Sequence, residues 1–305
     1  LIRVFLRQSV LGLLVVLSAL TVTFVLVRFS GDPTSIILPQ EATEEQREVL
    51  RQQLGLNESL PAQYLTYLGN AAVGNFGRSY FDSEAVTSIV IRHLPNTLVL
   101  AGASLALACL FAIPLGVLAA VWRDGVIDRF VQVVAVTGAS MPSFWVGLLL
   151  IQIFAVGLNL FPTYGTGSPA HLILPAITLA IYVFPSLARL TRSSMLEVLP
   201  QSYVMAARAK GMPEARVIGR TVLRNGMVPV LALLALEIGN LIGGAVLTET
   251  VFAWEGIGRL AITSIQRRDF PVVQGVVAYV AVGFVFVTMA AEIAIRLVNP
   301  KLRHK

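Results

Sequence analysis

Long apolar runs separated by short polar connections dominate the chain. A helix needs about 20 apolar residues to cross a bilayer, and runs of that order stand near 10–29, 98–122, 130–158, 172–190, 227–248 and 272–298. This pattern predicts an all-α integral membrane protein with six transmembrane helices. The segment 202–225 is a run of charge and helix punctuation between two strongly apolar runs. Ser202 suits a helix N-cap, the residues to Lys210 are good helix formers, and Gly211 is the residue expected just past a helix end. Pro213 fits the first turn of a second helix, where its missing N–H costs nothing. Arg216, Arg220 and Arg224 then recur every four residues as a basic stripe, with Val217, Ile218, Thr221 and Val222 around the rest of the circumference. The expectation is an amphipathic helix–turn–helix at a membrane surface. By periodicity alone it is equally a basic loop held near anionic headgroups.

A second polar stretch occupies 30–95. Thr43 followed by a helix-forming run to Leu54 and then Gly55 reads as a capped helix with a glycine stop, and 61–68 as another. About 65 residues is long for a structureless connection, so a small folded helical cap is expected. Pro114, Pro175 and Pro185 fall inside apolar runs and are expected to bend or interrupt their helices. Gly239 and Gly243 form a small-residue step that favours close helix approach.

Composition agrees with the pattern: 56% of residues are hydrophobic, 13% are charged and the mean hydropathy is +0.77. The first apolar run follows Arg3 and Arg7, but it exceeds the usual signal-peptide core and lacks a small-residue cleavage site, so it reads as a retained anchor. Leu1 leaves open whether translation starts there. Arginine and lysine fix the orientation. They cluster before span one, between spans two and three (Arg123, Arg129), between spans four and five, and in the tail (Lys301, Arg303, Lys305), whereas 159–171 has none. Both termini and 202–225 are therefore read as cytoplasmic and 30–95 as external. The four expected segments are 1–29, 30–95, a core of 96–298 and a tail of 299–305. The net charge of +6 is explained by these loops and does not point to nucleic acid. The single cysteine, Cys109, lies in a span and reads as packing.

No catalytic motif is present. The chain lacks G-x-x-x-x-G-K-[ST], G-x-S-x-G and H-E-x-x-H, and His93, His171 and His304 lack metal spacing. No metal site is expected. The informative polar residues lie within apolar runs: Glu237 with Asn240 three residues on, and Gln152, are candidates for a transport pathway, because such groups usually face a cavity or a partner. A helix–helix hydrogen bond is the alternative for Glu237. Glu292 and Arg296, four apart, read as a structural ion pair.

Three sets of residues carry a family resemblance. Ala206, Ala207 and Gly211, with Leu223, Arg224 and Asn225, resemble the cytoplasmic signature loop of membrane subunits of bacterial ABC importers, although Met205 stands where the broad pattern has an acid. Gly31–Asp32–Pro33, Gln53 to Leu56 and Gly74 to Ser79 resemble the external region of the first membrane subunit in the dipeptide, oligopeptide, nickel and glutathione branch. The stretch from Glu249 to Leu260 and the tail Asn299 to Arg303 are similar as well. The resemblance implies a non-catalytic permease subunit in the bacterial inner membrane that forms half of a peptide translocation pathway. Implied partners are a second, homologous permease subunit, two ATP-binding subunits that hold ATP and magnesium, and an extracytoplasmic substrate-binding protein. This chain itself is expected to bind no cofactor. The resemblance also implies a coupling helix for the ATPase at Tyr203, Ala206, Ala207, Arg208, Lys210, Gly211, Arg216, Arg220, Arg224 and Asn225. Trp254, Arg259, Arg267, Arg268 and Asp269 are candidate contacts for the binding protein. The competing readings are the same importer class for nickel or another small solute, and an autonomous secondary transporter.

Overall fold

The computed structural model describes residues 2–39 and 41–298; side chains are described outside 2–6, 242–244 and 294–298. The tail motif from Asn299 to Arg303, His304, the side chain of Arg296 and the surroundings of Gly243 fall outside this range. The described chain is helical, with an isolated bridge between Arg78 and Ala85. In order come α1 (Ile2–Phe29), α2 (Thr34–Ile37), α3 (Glu44–Gln53), α4 (Leu60–Ala72), α5 (Val86–Val121), α6 (Val126–Ser140), α7 (Ser143–Leu150) and a π-helical turn, Ile151–Gly157. There follow α8 (Pro169–Val198), α9 (Ser202–Ala209), α10 (Glu214–Arg216), a second π-helical turn, Val217–Val222, then α11 (Leu223–Gly244), α12 (Val246–Val251), α13 (Ile257–Arg267) and α14 (Phe270–Val298). Among the described residues, five helices are long and apolar enough to cross a membrane, or six if the bent pair α6 and α7 is one span.

That pair adds a feature to the apolar run at 130–158: the helix breaks and turns by 103° between Ser140 and Ser143. Met141 is extended at φ −95°, ψ 127°, and Pro142 at φ −61°, ψ 134°. Proline pushes the residue before it out of the helical region and has no N–H for the ladder, so α6 ends and α7 restarts. The expected breaks at the other prolines do not interrupt helix: α5 runs through Pro114, and α8 through Pro175 and Pro185. Nearby side chains supplement the α8 ladder: Arg189 Nε donates to Pro185 O at 3.2 Å, and Ser186 Oγ lies 2.8 Å from Val183 O, its one proton shared between that carbonyl and Glu237 Oε1.

The chain divides into two compact units, the described parts of Leu1–Asn96 with Gly256–Val285, and of Thr97–Glu255 with Phe286–Lys305. In the first, α4 lies on α1: Phe24 meets the rings of Tyr64 and Tyr67 at 5.2 and 5.6 Å, and Thr21 shares a 2.6 Å hydrogen bond with Tyr64. The capped helix read at Thr43 is present, with a reciprocal box between Thr43 and Gln46, and Gly55 follows it at φ +65°. Val86, Ile89 and Val90 at the start of α5 pack with Ile257, Val272 and Val276. That helix begins well before the apolar run at 98, because polar Arg92 and His93 belong to its extension.

The second unit is organised by α8, whose Leu179, Val183 and Leu187 are buried against residues of α5, α6 and α11. The α5–α8 approach needs glycine at 116: a Cβ there would stand 2.7 Å from Thr191 Cβ and 2.8 Å from Ala188 O. At the end of α8, Met195 joins Ala120, Val204, Val217 and Val222 in a separate small core. It is this small core that carries the 202–225 segment.

Candidate functional site

The segment forms the short helix–turn–helix that its punctuation predicts, with two local differences. Gln201, not Ser202, precedes the first helical residue, and no side chain caps α9. Beyond Arg216 the second helix widens into a π-helical turn before continuing as α11. Val204, on the inner side of α9, has no exposed surface and is seated in the small core with Val217 and Val222. Burying a valine fully is worth about 1.5 kcal/mol or more, enough to fix which face of so short a helix turns outward. Tyr203, Met205, Ala206, Arg208 and Lys210 are exposed, and Ala207 is half-buried.

The turn between the helices is set by two features. Gly211 has φ +76°, a left-handed conformation that costs other residues about 1–2 kcal/mol. Arg208 then reaches across it to Glu214 with two parallel hydrogen bonds, Nε to Oε2 at 3.0 Å and Nη2 to Oε1 at 2.6 Å. The bond to Glu214 raises the guanidinium pKa of Arg208 above its ordinary value. Before, within and after the π-helical turn, Arg216, Arg220, Arg224 and Asn225 are all exposed, while Val217 and Val222 are buried. Asn225 donates to Thr221 O at 2.8 Å.

The polar residues read in the apolar runs do not gather. Glu237 is buried and accepts a hydrogen bond from Ser186 Oγ at 2.9 Å, joining α11 to α8. Asn240 and Gln152 are exposed. Of the residues read as external contacts in the second unit, Trp254 is buried in the α8 core. In the first unit, Arg267 and Arg268 are exposed, Arg259 is half-buried and Asp269 is buried. Asp269 accepts from Ser79 Oγ at 2.5 Å and from Tyr80 N at 3.2 Å, which fastens the loop before α5 to the start of α14. Burial first, and then the Asp269 carboxylate, pushes the Tyr80 hydroxyl up to about 12.

Two buried carboxylates escaped the sequence reading. Asp128, fully buried in the first turn of α6, receives Arg192 of α8 through both Nε at 2.6 Å and Nη2 at 2.7 Å. Gln132 Nε2 at 2.8 Å and the Asp124 N–H at 2.9 Å complete its shell. The sequence signal for it is an acid directly before the apolar run at 130 with an amide four residues on. Glu249, also fully buried, accepts from Thr97 Oγ1 at 2.6 Å. Nothing in the spacing of Thr97 and Glu249 announces that pair.

This arrangement of helices has known counterparts. Residues 112–304 match the family described as binding-protein-dependent transport system inner membrane component, and 1–101 match its N-terminal region. The chain belongs to this family: it is a permease subunit of a bacterial ABC importer and a multi-pass protein of the inner membrane. Over 301 residues it is 38% identical to the glutathione transport system permease protein GsiC of Escherichia coli strain K12, covering 98% of both chains. The protein of the same name from Shigella dysenteriae serotype 1 gives the same figures. Among solved structures, the MetNI methionine ABC transporter in inward-facing form aligns with a TM-score of 0.58 at 18% identity, over 69% of this chain and 96% of that one. An amino acid ABC transporter with histidines aligns with 0.53 at 18%, over 69% and 94%. At that identity the likeness is one of fold.

Proposed function

We propose that this permease subunit forms one half of a translocation pathway for peptides, di- or oligopeptides including glutathione, and that α9 with its turn is the element through which separate ATPase subunits drive it. The carrying observation is the way α9 is held: anchored by Val204, braced across Gly211 by Arg208 and Glu214, and exposed along Tyr203, Met205, Ala206 and Lys210. Such a rigid knob at the end of α8 and the start of α11 passes a push directly into both helices. The 38% identity to glutathione permeases supports the peptide class over nickel or another small solute. In this reading the chain crosses the membrane six times, counting α6 and α7 as one broken span, with both termini and 202–225 cytoplasmic and the segment around α3 and α4 external. A second homologous permease, two ATP-binding subunits carrying ATP and magnesium, and an extracytoplasmic binding protein complete the assembly. This chain contributes no catalysis. Glu237 lies on the helix that such a push would move.

The test is ATP hydrolysis by the purified complex with its binding protein, in the presence of dipeptides, longer peptides, glutathione or nickel. Stimulation by the peptide class is expected; stimulation by nickel alone overturns the substrate reading, and a preparation without ATPase subunits overturns the importer assembly. Gly211→Leu strains the turn and is expected to leave hydrolysis running while uptake falls at least tenfold. Full uptake by that variant removes α9 from the coupling path.

A further inference from the structure

The three arginines past the turn have a different character from α9. Arg216, Arg220 and Arg224 are exposed on the side of their helix away from Val217 and Val222, and among the described residues none of them makes an ion pair. Their helix runs directly into a stretch that is apolar from Met227 on, except for Glu237 and Asn240. Arg224 therefore stands less than one turn from the edge of the hydrocarbon. From Arg216 to Arg224 the stripe spans at most about 12 Å along the axis, so long arginine side chains on it can reach a headgroup layer about 5–7 Å thick on one face of a bilayer.

A second landmark gives the same level independently. Val117 and Ala120, near the end of α5, belong to the small core that contains Val217 and Val222. Two residues further on, Trp122 is 53% exposed, followed by Arg123. An exposed tryptophan at the end of an apolar helix marks the membrane–water boundary. The arginine stripe and this tryptophan thus lie on neighbouring helices at one depth.

We propose that Arg216, Arg220 and Arg224 form a binding surface for the phosphate groups of anionic phospholipids, so that the α10–α11 segment is tethered to the bilayer while α9 is left to the ATPase. Guanidinium groups suit phosphate because their planar forks donate two hydrogen bonds to it. An anionic lipid supplies three things at once: negative charge, the right depth and lateral continuity along the stripe. The inference rests on the reading that 202–225 lies at a membrane face, and is independent of whether α9 couples to an ATPase.

The experiment exchanges the full-length chain, purified with whatever subunits accompany it, against mixed vesicles of phosphatidylglycerol and phosphatidylcholine, and reads the retained lipid by native mass spectrometry. The wild type is expected to retain phosphatidylglycerol in preference. The triple variant R216Q/R220Q/R224Q is expected to lose that preference by about fivefold for each arginine removed. The triple lysine variant, which keeps the charge and guards against misfolding of the first, should keep most of it, and Arg47→Gln on α3 should change nothing. Equal retention of both lipids by the wild type overturns the proposal. So does a glutamine variant that keeps its phosphatidylglycerol but sheds the ATPase subunits, which makes the stripe a protein-docking face. Failure of the coupling reading registers separately, in uptake by the Gly211→Leu variant.

Discussion

Asp128 and Glu237 are both buried carboxylates on helices packed against α8, yet they are held in different ways. Asp128 accepts from both arms of the Arg192 guanidinium, from Gln132 and from a backbone N–H. Its charge is neutralised and its lone pairs are occupied, so it acts as a lock between α6 and α8. Glu237 is held by the Ser186 hydroxyl. Such a carboxylate retains capacity to accept from another donor, and one hydroxyl is a weak hold on it. The difference separates an acid whose acceptor positions are filled from one with capacity to spare, and burial alone would not have separated them.

The most severe way to break the comparison is to remove the cation from the lock. Arg192→Ala leaves a fully buried carboxylate uncompensated and is expected to cost about 3–5 kcal/mol, read as a large drop in Tm or loss of the folded protein in detergent. Asp128→Asn should cost less, about 1–3 kcal/mol, because the arginine left behind still reaches solvent. Equal and small losses from both would make the lock dispensable.

Glu237 should behave in the opposite sense. Glu237→Gln keeps an acceptor for Ser186, so stability is expected within about 1 kcal/mol of wild type, while uptake by the complex falls. Ser186→Ala should cost about 1 kcal/mol with little effect on uptake. A Glu237→Gln variant with full uptake would reduce this acid to a packing residue like Asp128.

A third carboxylate, outside the membrane-crossing helices, sharpens the contrast by its weakness. Burial works against the charged form of Asp32, but hydrogen bonds from the Thr34 N–H, the Thr34 hydroxyl and Arg51 outweigh it and hold the acid below its ordinary value. A depressed folded value means stability that is present above the unfolded pKa, about 3.9, and lost as pH falls through the folded one. Because the pair is about one-third exposed, the effect should stay below about 1 kcal/mol. Arg51→Gln should flatten the decline in Tm on the acid side of pH 4, and an unchanged profile would leave the pair without a role in stability.

Much of the architecture was written in local chemistry. The apolar runs fix the helices that can enter a membrane, since within a single segment only a helix satisfies its own backbone polar groups there. Thr43, Gln46 and Gly55 fix α3, and Gly211 fixes the end of α9, because capping and left-handed turns depend only on residues a few positions apart. Packing decided the rest. Pro142 breaks the third apolar run while Pro175 and Pro185 are carried inside α8, although all three are prolines in apolar sequence. The side chains that reach Asp128, Glu237, Glu249 and Asp269 from other elements lie 64, 51, 152 and 190 residues away. Such pairs are chosen by which helices touch, and no period along the chain records that choice.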